Sequence, residues 1–239
     1  MKLTVLGKYG PFPVSGGATS SYLLQINGKN VLLDCGAGAF SRLTKIIKPE
    51  EIDVIFLSHF HFDHTSDVGV LTYCYQSLFA KGHTKKPVVF CPDEGGALVD
   101  SVINCPYFDV NVVRGGEISM YDDIDFEFFE MRHPVKSVGV KISANGKTFA
   151  YTGDTNVCDS LLDLYDGSDL VLADGAFLIE DWNESLPHLS VDHVIKLTKK
   201  YGNKSIISHV NPKYNQEELE NLVKNTNCEV AQEGESYTV

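Results

Sequence analysis

The chain has 239 residues, 43% of them hydrophobic and 22% charged, which is the composition of a globular protein with one sizeable core. No apolar run approaches the ~20 residues that span a membrane. The formal net charge of −12 repels the phosphate backbone of large nucleic acids, but it excludes neither small anions nor metal cations.

The N-terminal apolar stretch is too short for a secretion signal, because Pro and Gly follow it at once. The six cysteines form no CxxC pair, and we expect reduced thiols rather than a disulfide framework. These features predict a cytoplasmic protein.

The first half of the chain alternates predicted strands and helices. An Asn-Gly pair at Asn27-Gly28 predicts a hairpin between two apolar runs, and Pro49 ends a short helix. The predicted strands are 2–7, 21–26, 30–35, 52–58 and 87–92, and the predicted helices are 38–49, 67–81 and 94–103.

The second half repeats this pattern, with another Asn-Gly hairpin at Asn145-Gly146 and Ser190 as the predicted N-cap of a helix. The predicted strands are 124–132, 138–143, 148–154, 169–177 and 204–210, and the predicted helices are 158–167, 190–202 and 215–226. Because no linker separates the halves, residues 1–239 are predicted to form one α/β domain with mixed sheets and outer helices.

Three of the eight histidines and an aspartate lie within six positions, directly after the apolar run 54–57. His59 and His61 are two residues apart and point the same way if the strand continues, whereas Asp63 and His64 follow a break and point to a neighbouring spot. Imidazole and carboxylate are ligands of Zn²⁺ and other divalent first-row metals. The alternative is a polar loop with hydrogen-bonded histidines.

Three further polar residues stand where apolar strands end. These are His133 after 124–132, Asp154 after the "KTFAYTG" run, and His209 after "KSIIS". Any one of them alone is more often structural. Together with the cluster they make seven donors, which is enough for two metals that share one carboxylate.

This set, His-x-His-x-Asp-His followed by His133, Asp154 in "TGDT" and His209 in "SHV", resembles the metallo-β-lactamase superfamily. The resemblance covers almost the whole chain and implies an α/β, αββα sandwich of two mixed β-sheets flanked by helices. Asp34 in "LLDCGAG" is similar to the family's first motif, which braces the ligand loop.

The resemblance also implies a binuclear centre. Two divalent ions are expected, with Zn²⁺ fitting the N and O donors and Mn²⁺ or Fe²⁺ remaining open. The resemblance implies that Asp154 is shared by the two metals. The implied ligands are His59, His61 and His133 for the first metal, and Asp63, His64 and His209 for the second.

A finer resemblance points to the ribonuclease Z-like branch of phosphodiesterases and to Bacillus-type metal-dependent hydrolases of unassigned substrate. His188 in "HLS" resembles a proton donor or phosphate contact of that branch, and Asp174 is placed to orient it. Only 20 residues separate His133 from Asp154, and one hairpin fills them. This leaves no room for the arm with which tRNA-trimming relatives grip tRNA.

We therefore expect a small phosphodiester substrate, such as a cyclic phosphate or nucleotide, attacked by a hydroxide that bridges the metals. The candidate catalytic residues are Asp63, His188 and Asp174. The alternatives are a lactonase or thioesterase on the same metals, a tRNA 3′-processing endoribonuclease, which the missing arm disfavours, and a metal-binding scaffold without turnover. A small anionic substrate is the expected partner, with no membrane or large nucleic acid, and a homodimer remains open.

Overall fold

Two seven-stranded β-sheets pack face to face in the computed structural model, which describes residues 1–239. Strands β1 to β6 and the last strand, β14, form the first sheet. Their bounds are β1 (Lys2–Gly7), β2 (Ser21–Ile26), β3 (Lys29–Leu33), β4 (Val54–Phe56), β5 (Val88–Cys91), β6 (Asp109–Val112) and β14 (Ser236–Thr238).

The second sheet contains strands β7 to β13. Their bounds are β7 (Ile118–Tyr121), β8 (Ile124–Met131), β9 (Ser137–Ala144), β10 (Lys147–Tyr151), β11 (Leu170–Asp174), β12 (Lys204–Ser208) and β13 (Cys228–Val230).

Seven α-helices and two short 3₁₀ turns connect the strands. The helices are α1 (Ala39–Leu43), α2 (Phe62–Thr65), α3 (Val68–Ala80), α4 (Ala97–Ile103), α5 (Asp159–Tyr165), α6 (Val191–Tyr201) and α7 (Gln216–Val223), and the 3₁₀ turns are Pro49–Glu51 and Ile179–Asp181. None of the helices is long and apolar enough to cross a membrane.

Both sheets are mixed, and this arrangement gathers strand ends at one edge. In the first sheet the order is β14-β1-β2-β3-β4-β5-β6, with β3 to β6 parallel. In the second the order is β13-β12-β11-β10-β9-β8-β7, with β10 to β13 parallel. Because β8 and β10 are both antiparallel to β9, the carboxyl ends of β8, β10, β11 and β12 meet at the same edge, where α/β folds place ligands.

Three apolar clusters form the core. The largest lies between the sheets and includes Phe56, Phe128 and Tyr151. A second packs α5, α6 and α7 onto the second sheet, and a third packs α1, α3 and α4 onto the first. The sandwich flanked by helices confirms the predicted fold class.

The predicted hairpins form at the expected positions, and so do the predicted helices except the first. That prediction was wrong in its end, because α1 stops at Leu43 and Pro49 begins a 3₁₀ turn, a position that proline favours. Asn27 and Gly28 both have positive φ, as do Asn145 and Gly146, which is the geometry of two-residue type I′ turns. The sequence did not predict β6, β7, β13 and β14. All four are short strands in the outer positions of the sheets, where no strong apolar alternation is required.

Candidate metal centre

The segment after β4 carries the histidine cluster and changes conformation within it. His59 and His61 precede α2, and His61 is its extended N-cap, with φ −65° and ψ 149°. Asp63 and His64 lie on the single turn of α2. The turn redirects these two side chains, as the break in the sequence pattern predicted.

One ring nitrogen from each of His59, His61 and His133, the predicted ligands of the first metal, points to a common spot. His61 Nδ1 lies 3.1 Å from His59 Nε2 and 3.1 Å from His133 Nε2. The second ring nitrogens of two of these histidines are engaged, since His59 Nδ1 faces Ser58 Oγ at 3.0 Å and His133 Nδ1 donates to the Pro187 carbonyl at 3.2 Å. The Nε2 atoms of His59 and His133 are therefore left as acceptors, and both lie beside His61 Nδ1, an arrangement that suits a cation.

A second group of donors lies beside the first. His209 Nε2 is 3.1 Å from Asp63 Oδ2 and 3.2 Å from Asp154 Oδ2, and His64 Nε2 is 3.1 Å from Asp154 Oδ1. Asp154 Oδ2 also lies 3.5 Å from His59 Nε2 of the first group. Asp154 thus stands between the two groups, as a bridging carboxylate would.

Burial and charge act against each other in this cluster. Burial and the nearby His64 hold the pKa of His59 well below its usual range. Burial also disfavours the charged form of His64, but Asp154 and Asp34 outweigh it and raise the pKa of His64. Burial would raise the pKa of Asp154, yet the imidazoles of His209 and His64 lower it well below its usual range.

Asp34 fixes the orientation of the ligand segment from below. Its Oδ1 accepts the Ser58 backbone N–H at 2.7 Å, and its Oδ2 accepts His64 Nδ1–H at 2.7 Å and the hydroxyls of Ser58 at 2.8 Å and Tyr151 at 2.6 Å. Because Asp34 holds the Nδ1 proton, Nε2 is the atom of His64 that would face a metal, the usual arrangement of a metal-binding histidine.

His188 and Asp174 form a hydrogen-bonded pair next to the donors. His188 Nδ1 is 2.8 Å from Asp174 Oδ2, and its ring stacks on that of His209 with centroids 4.7 Å apart. Burial lowers the pKa of His188, but Asp174 and then Asp154 outweigh this and raise it to about 9. Asp174 is itself held by the backbone N–H groups of Thr155 and Ala176.

The residues present fit divalent cations. His64 Nε2 and Asp154 Oδ1 are buried and lie 3.1 Å apart, but they are not aligned as a hydrogen bond, a costly state for two polar atoms unless a ligand engages them. Three overlapping sets have donor atoms within 4.8 Å of one another. The first two hold the seven predicted donors, namely His59, His61, His133 and Asp154, and Asp63, His64, Asp154 and His209, and the third consists of Asp154, Asp174, His188 and His209. Nitrogen and oxygen donors without thiolates suit Zn²⁺, Mn²⁺ or Fe²⁺.

A small cavity adjoins the centre. It has a volume of about 220 Å³ and is walled by residues that include Arg132, His133, Asn156 and Pro187. A larger cavity of about 760 Å³ lies elsewhere, beside β13 and β14, and contains none of the donors. Of these two spaces, only the smaller one is lined by a donor, His133.

All seven predicted donors, together with His188 and Asp174, are thus gathered at one edge of the sandwich. The sequence analysis missed the supporting residues Ser58, Tyr151 and Trp182, whose Nε1–H donates to the His188 carbonyl at 2.9 Å. The position of Ser58 directly before His59 was the available signal. His193 is half-buried, and its ring packs on Trp182 with centroids 4.4 Å apart.

Two mixed sheets with clustered His and Asp side chains at their shared edge define a metallohydrolase type of scaffold. Residues 29–209 match the beta-lactamase superfamily domain. The chain belongs to this superfamily, and the expectation of a metal-dependent hydrolase is confirmed at that level.

Similar proteins agree with this assignment. The chain is 28% identical over 204 residues to the probable metallo-hydrolase YhfI of Bacillus subtilis, covering 84% of this chain and 83% of that one. The crystal structure of YhfI superposes with a TM-score of 0.87 at 23% identity, covering 99% and 98% of the two chains. Ribonuclease Z of Methanosarcina acetivorans is 21% identical over 285 residues, covering 95% and 92%.

A diphosphatase from the PhnP family has the same fold, with a TM-score of 0.78 at 17% identity and coverage of 100% and 97%. At this identity the likeness concerns the fold alone.

Proposed function

We propose that this protein is a phosphodiesterase that acts on a small phosphodiester, such as a cyclic phosphate or a nucleotide. The observation that carries the proposal is the His188–Asp174 pair, whose Nδ1–Oδ2 distance is 2.8 Å, directly beside the donor set. Similarity to a ribonuclease Z and, in fold, to a diphosphatase supports phosphoryl chemistry.

The donors would hold two divalent cations, with Asp154 between them. When bound, such ions supply a nucleophile at neutral pH and neutralise charge on the phosphoryl oxygens. Asp34 keeps His64 in the tautomer that presents Nε2, and Ser58 does the same for His59. The protein's own contribution is thus a preset donor geometry.

His188 is the proposed proton donor. Asp174 accepts a hydrogen bond from Nδ1, so the opposite ring nitrogen, Nε2, is free to protonate the departing alkoxide. The nearby carboxylates favour the protonated ring. General acid catalysis of this kind contributes typically ~10²–10⁴-fold. Asp63 is a proposed metal donor, and its Oδ2 lies 3.1 Å from His209 Nε2.

The test uses two leaving groups with His188→Ala and, as a control, His83→Ala outside the site. The substrates are bis(p-nitrophenyl) phosphate and 3′,5′-cyclic AMP, assayed after chelation and restoration of Zn²⁺ or Mn²⁺. A ribose alkoxide is a strong base that needs a proton, whereas p-nitrophenolate is a weak base that does not. We therefore expect His188→Ala to keep its metal, to lose ~10²-fold or more in kcat on a cyclic nucleotide, and to lose much less on the p-nitrophenyl ester.

If His188→Ala lowered kcat equally on both substrates, or on neither, the general-acid role of His188 would be contradicted. No turnover of either substrate by a wild-type protein that holds two metals would shift the reaction class to lactones or thioesters, which a parallel panel of those substrates would detect.

A further inference from the structure

Two buried tyrosine hydroxyls cross between the sheets beneath the donors. Tyr151, at the end of β10 in the second sheet, donates to Asp34 after β3 of the first sheet at 2.6 Å. Tyr22, on β2 of the first sheet, is hydrogen-bonded to Ser208 Oγ at the end of β12 in the second at 2.7 Å. The two rings meet edge to face with centroids 5.4 Å apart.

Each bond ends next to the donors of the opposite sheet. Asp34 Oδ2, which accepts the Tyr151 hydroxyl, also accepts His64 Nδ1–H. Ser208 directly precedes His209 and is paired in register with Asp174. Tyr151 lies three residues before Asp154, so one bond joins the segment of the bridging carboxylate to the carboxylate that orients His64.

The donor set is divided between the sheets, which makes their relative position critical. His59, His61, Asp63 and His64 follow β4 of the first sheet, whereas His133, Asp154 and His209 follow β8, β10 and β12 of the second. Apolar side chains make up most of the contact between the sheets, and apolar contact is not directional. At the donor edge two backbone hydrogen bonds also join the sheets, from Val138 N–H to the Ser58 carbonyl at 2.9 Å and from Val210 N–H to the Lys8 carbonyl at 2.8 Å. Hydrogen bonds are directional and strengthen in a low-dielectric interior.

We propose that Tyr22 and Tyr151 are positioning residues that fix the distance between the donors of the first sheet and those of the second. The inference rests on the metal-holding part of the proposed function and not on the identity of the substrate. Neither hydroxyl touches the reacting atoms, so both act through Asp34 and Ser208.

The test titrates metal-free protein with Co²⁺ and records the number bound, the affinity and the visible absorption of the bound ion. The variants are Tyr151→Phe and Tyr22→Phe. Tyr165→Phe is the matched control, because its hydroxyl is also buried but makes no hydrogen bond. We expect Tyr151→Phe and Tyr22→Phe, here called the bridge variants, each to lower the affinity for Co²⁺ by ~10-fold or more, as the loss of an outer partner of a ligand does. Each should also shift the absorption bands of the bound Co²⁺. The control should remain within twofold.

Ser208→Ala removes the Tyr22 bond from its other end, and it keeps the test decisive if Tyr22→Phe does not fold. In the double variant Tyr22→Phe with Ser208→Ala, the loss should not exceed that of the larger single variant. Bridge variants with wild-type affinity and spectrum would overturn the inference. A wild-type protein that binds no Co²⁺, Zn²⁺ or Mn²⁺ would instead overturn the metal centre itself.

Discussion

At the scale of single residues, Asp154 is the side chain that lies between the two donor groups. Its carboxylate lies within 3.5 Å of ring nitrogens of His59, His64 and His209. It is buried, so water cannot take its place without a rearrangement of the cluster. Asp154 is thus a member of both donor groups.

Asp154→Asn replaces one anionic oxygen by an amide nitrogen that donates toward histidines. Loss of a residue that only hydrogen-bonds to a ligand costs up to ~100-fold in metal affinity. Because Asp154 is proposed as a ligand itself, we expect Asp154→Asn to lower the affinity for Zn²⁺ by more than this and to lower turnover with it. Metal content after dialysis, measured by elemental analysis, and activity check this outcome. Asp109→Asn, on the exposed edge strand β6, is the control. If the Asp154→Asn variant retains two metals, Asp154 is not a shared ligand.

The N-terminus of α6 is the element that positions His188. Ser190 caps the helix, accepting the His193 backbone N–H at 3.3 Å, and the His193 ring accepts the Ser190 backbone N–H in return. The His193 ring packs on Trp182, whose Nε1–H holds the His188 carbonyl. A capping box thus secures the loop that carries the proposed proton donor.

His193 also makes stability depend on pH. Burial and then Lys196 lower the pKa of His193 in the folded protein, so the unfolded chain takes up the proton first as pH falls. This histidine's contribution to the free energy of unfolding is complete above its ordinary pKa of ~6.5 and declines below it. His193→Gln, which keeps an acceptor at this position, should lose less stability than wild type between pH 7.5 and 5.5.

Urea unfolding of metal-free protein at both pH values measures this difference. Ser190→Ala is the comparison variant, and it should lose ~1 kcal/mol at either pH. Equal pH dependence of the wild-type and His193→Gln proteins would contradict the proposed titration.

The elements that the sequence predicted are those with strong local signals. Asn-Gly turns, a Ser cap and buried apolar runs specify the hairpins, α6 and the central strands. β13 and β14 have three residues each, and they exist because neighbouring strands offer free hydrogen-bonding groups. The donors were predictable because each follows an apolar run, whereas Tyr22 and Tyr151 read as ordinary core residues. Their hydroxyl partners come from distant segments, which no local pattern reveals.

At the scale of the whole molecule, the net charge leads us to expect small substrates rather than long nucleic acids. The chain carries 32 acidic and 20 basic side chains, and β9 and β10 fill the segment between His133 and Asp154. Binding a polynucleotide requires cations along its phosphates. The proposed small phosphodiester needs only the local charge of the centre.

We therefore expect a labelled RNA transcript to bind with a Kd weaker than ~10⁻⁴ M at 150 mM salt, at or beyond the weak limit of non-specific binding. Fluorescence anisotropy measures this, with ribonuclease Z of Methanosarcina acetivorans assayed alongside. A Kd for the transcript below ~1 μM, or cleavage of the transcript, would contradict the preference for small substrates.

The division of the donors between two sheets has a consequence for the order of folding. His59 and His209 are about 150 residues apart in the chain, and the contacts that join them form only when the sheets have docked. Such non-local closure is slow and late. A partly folded chain offers at most the four donors after β4, so we expect tight metal uptake to mark the completion of folding rather than its beginning.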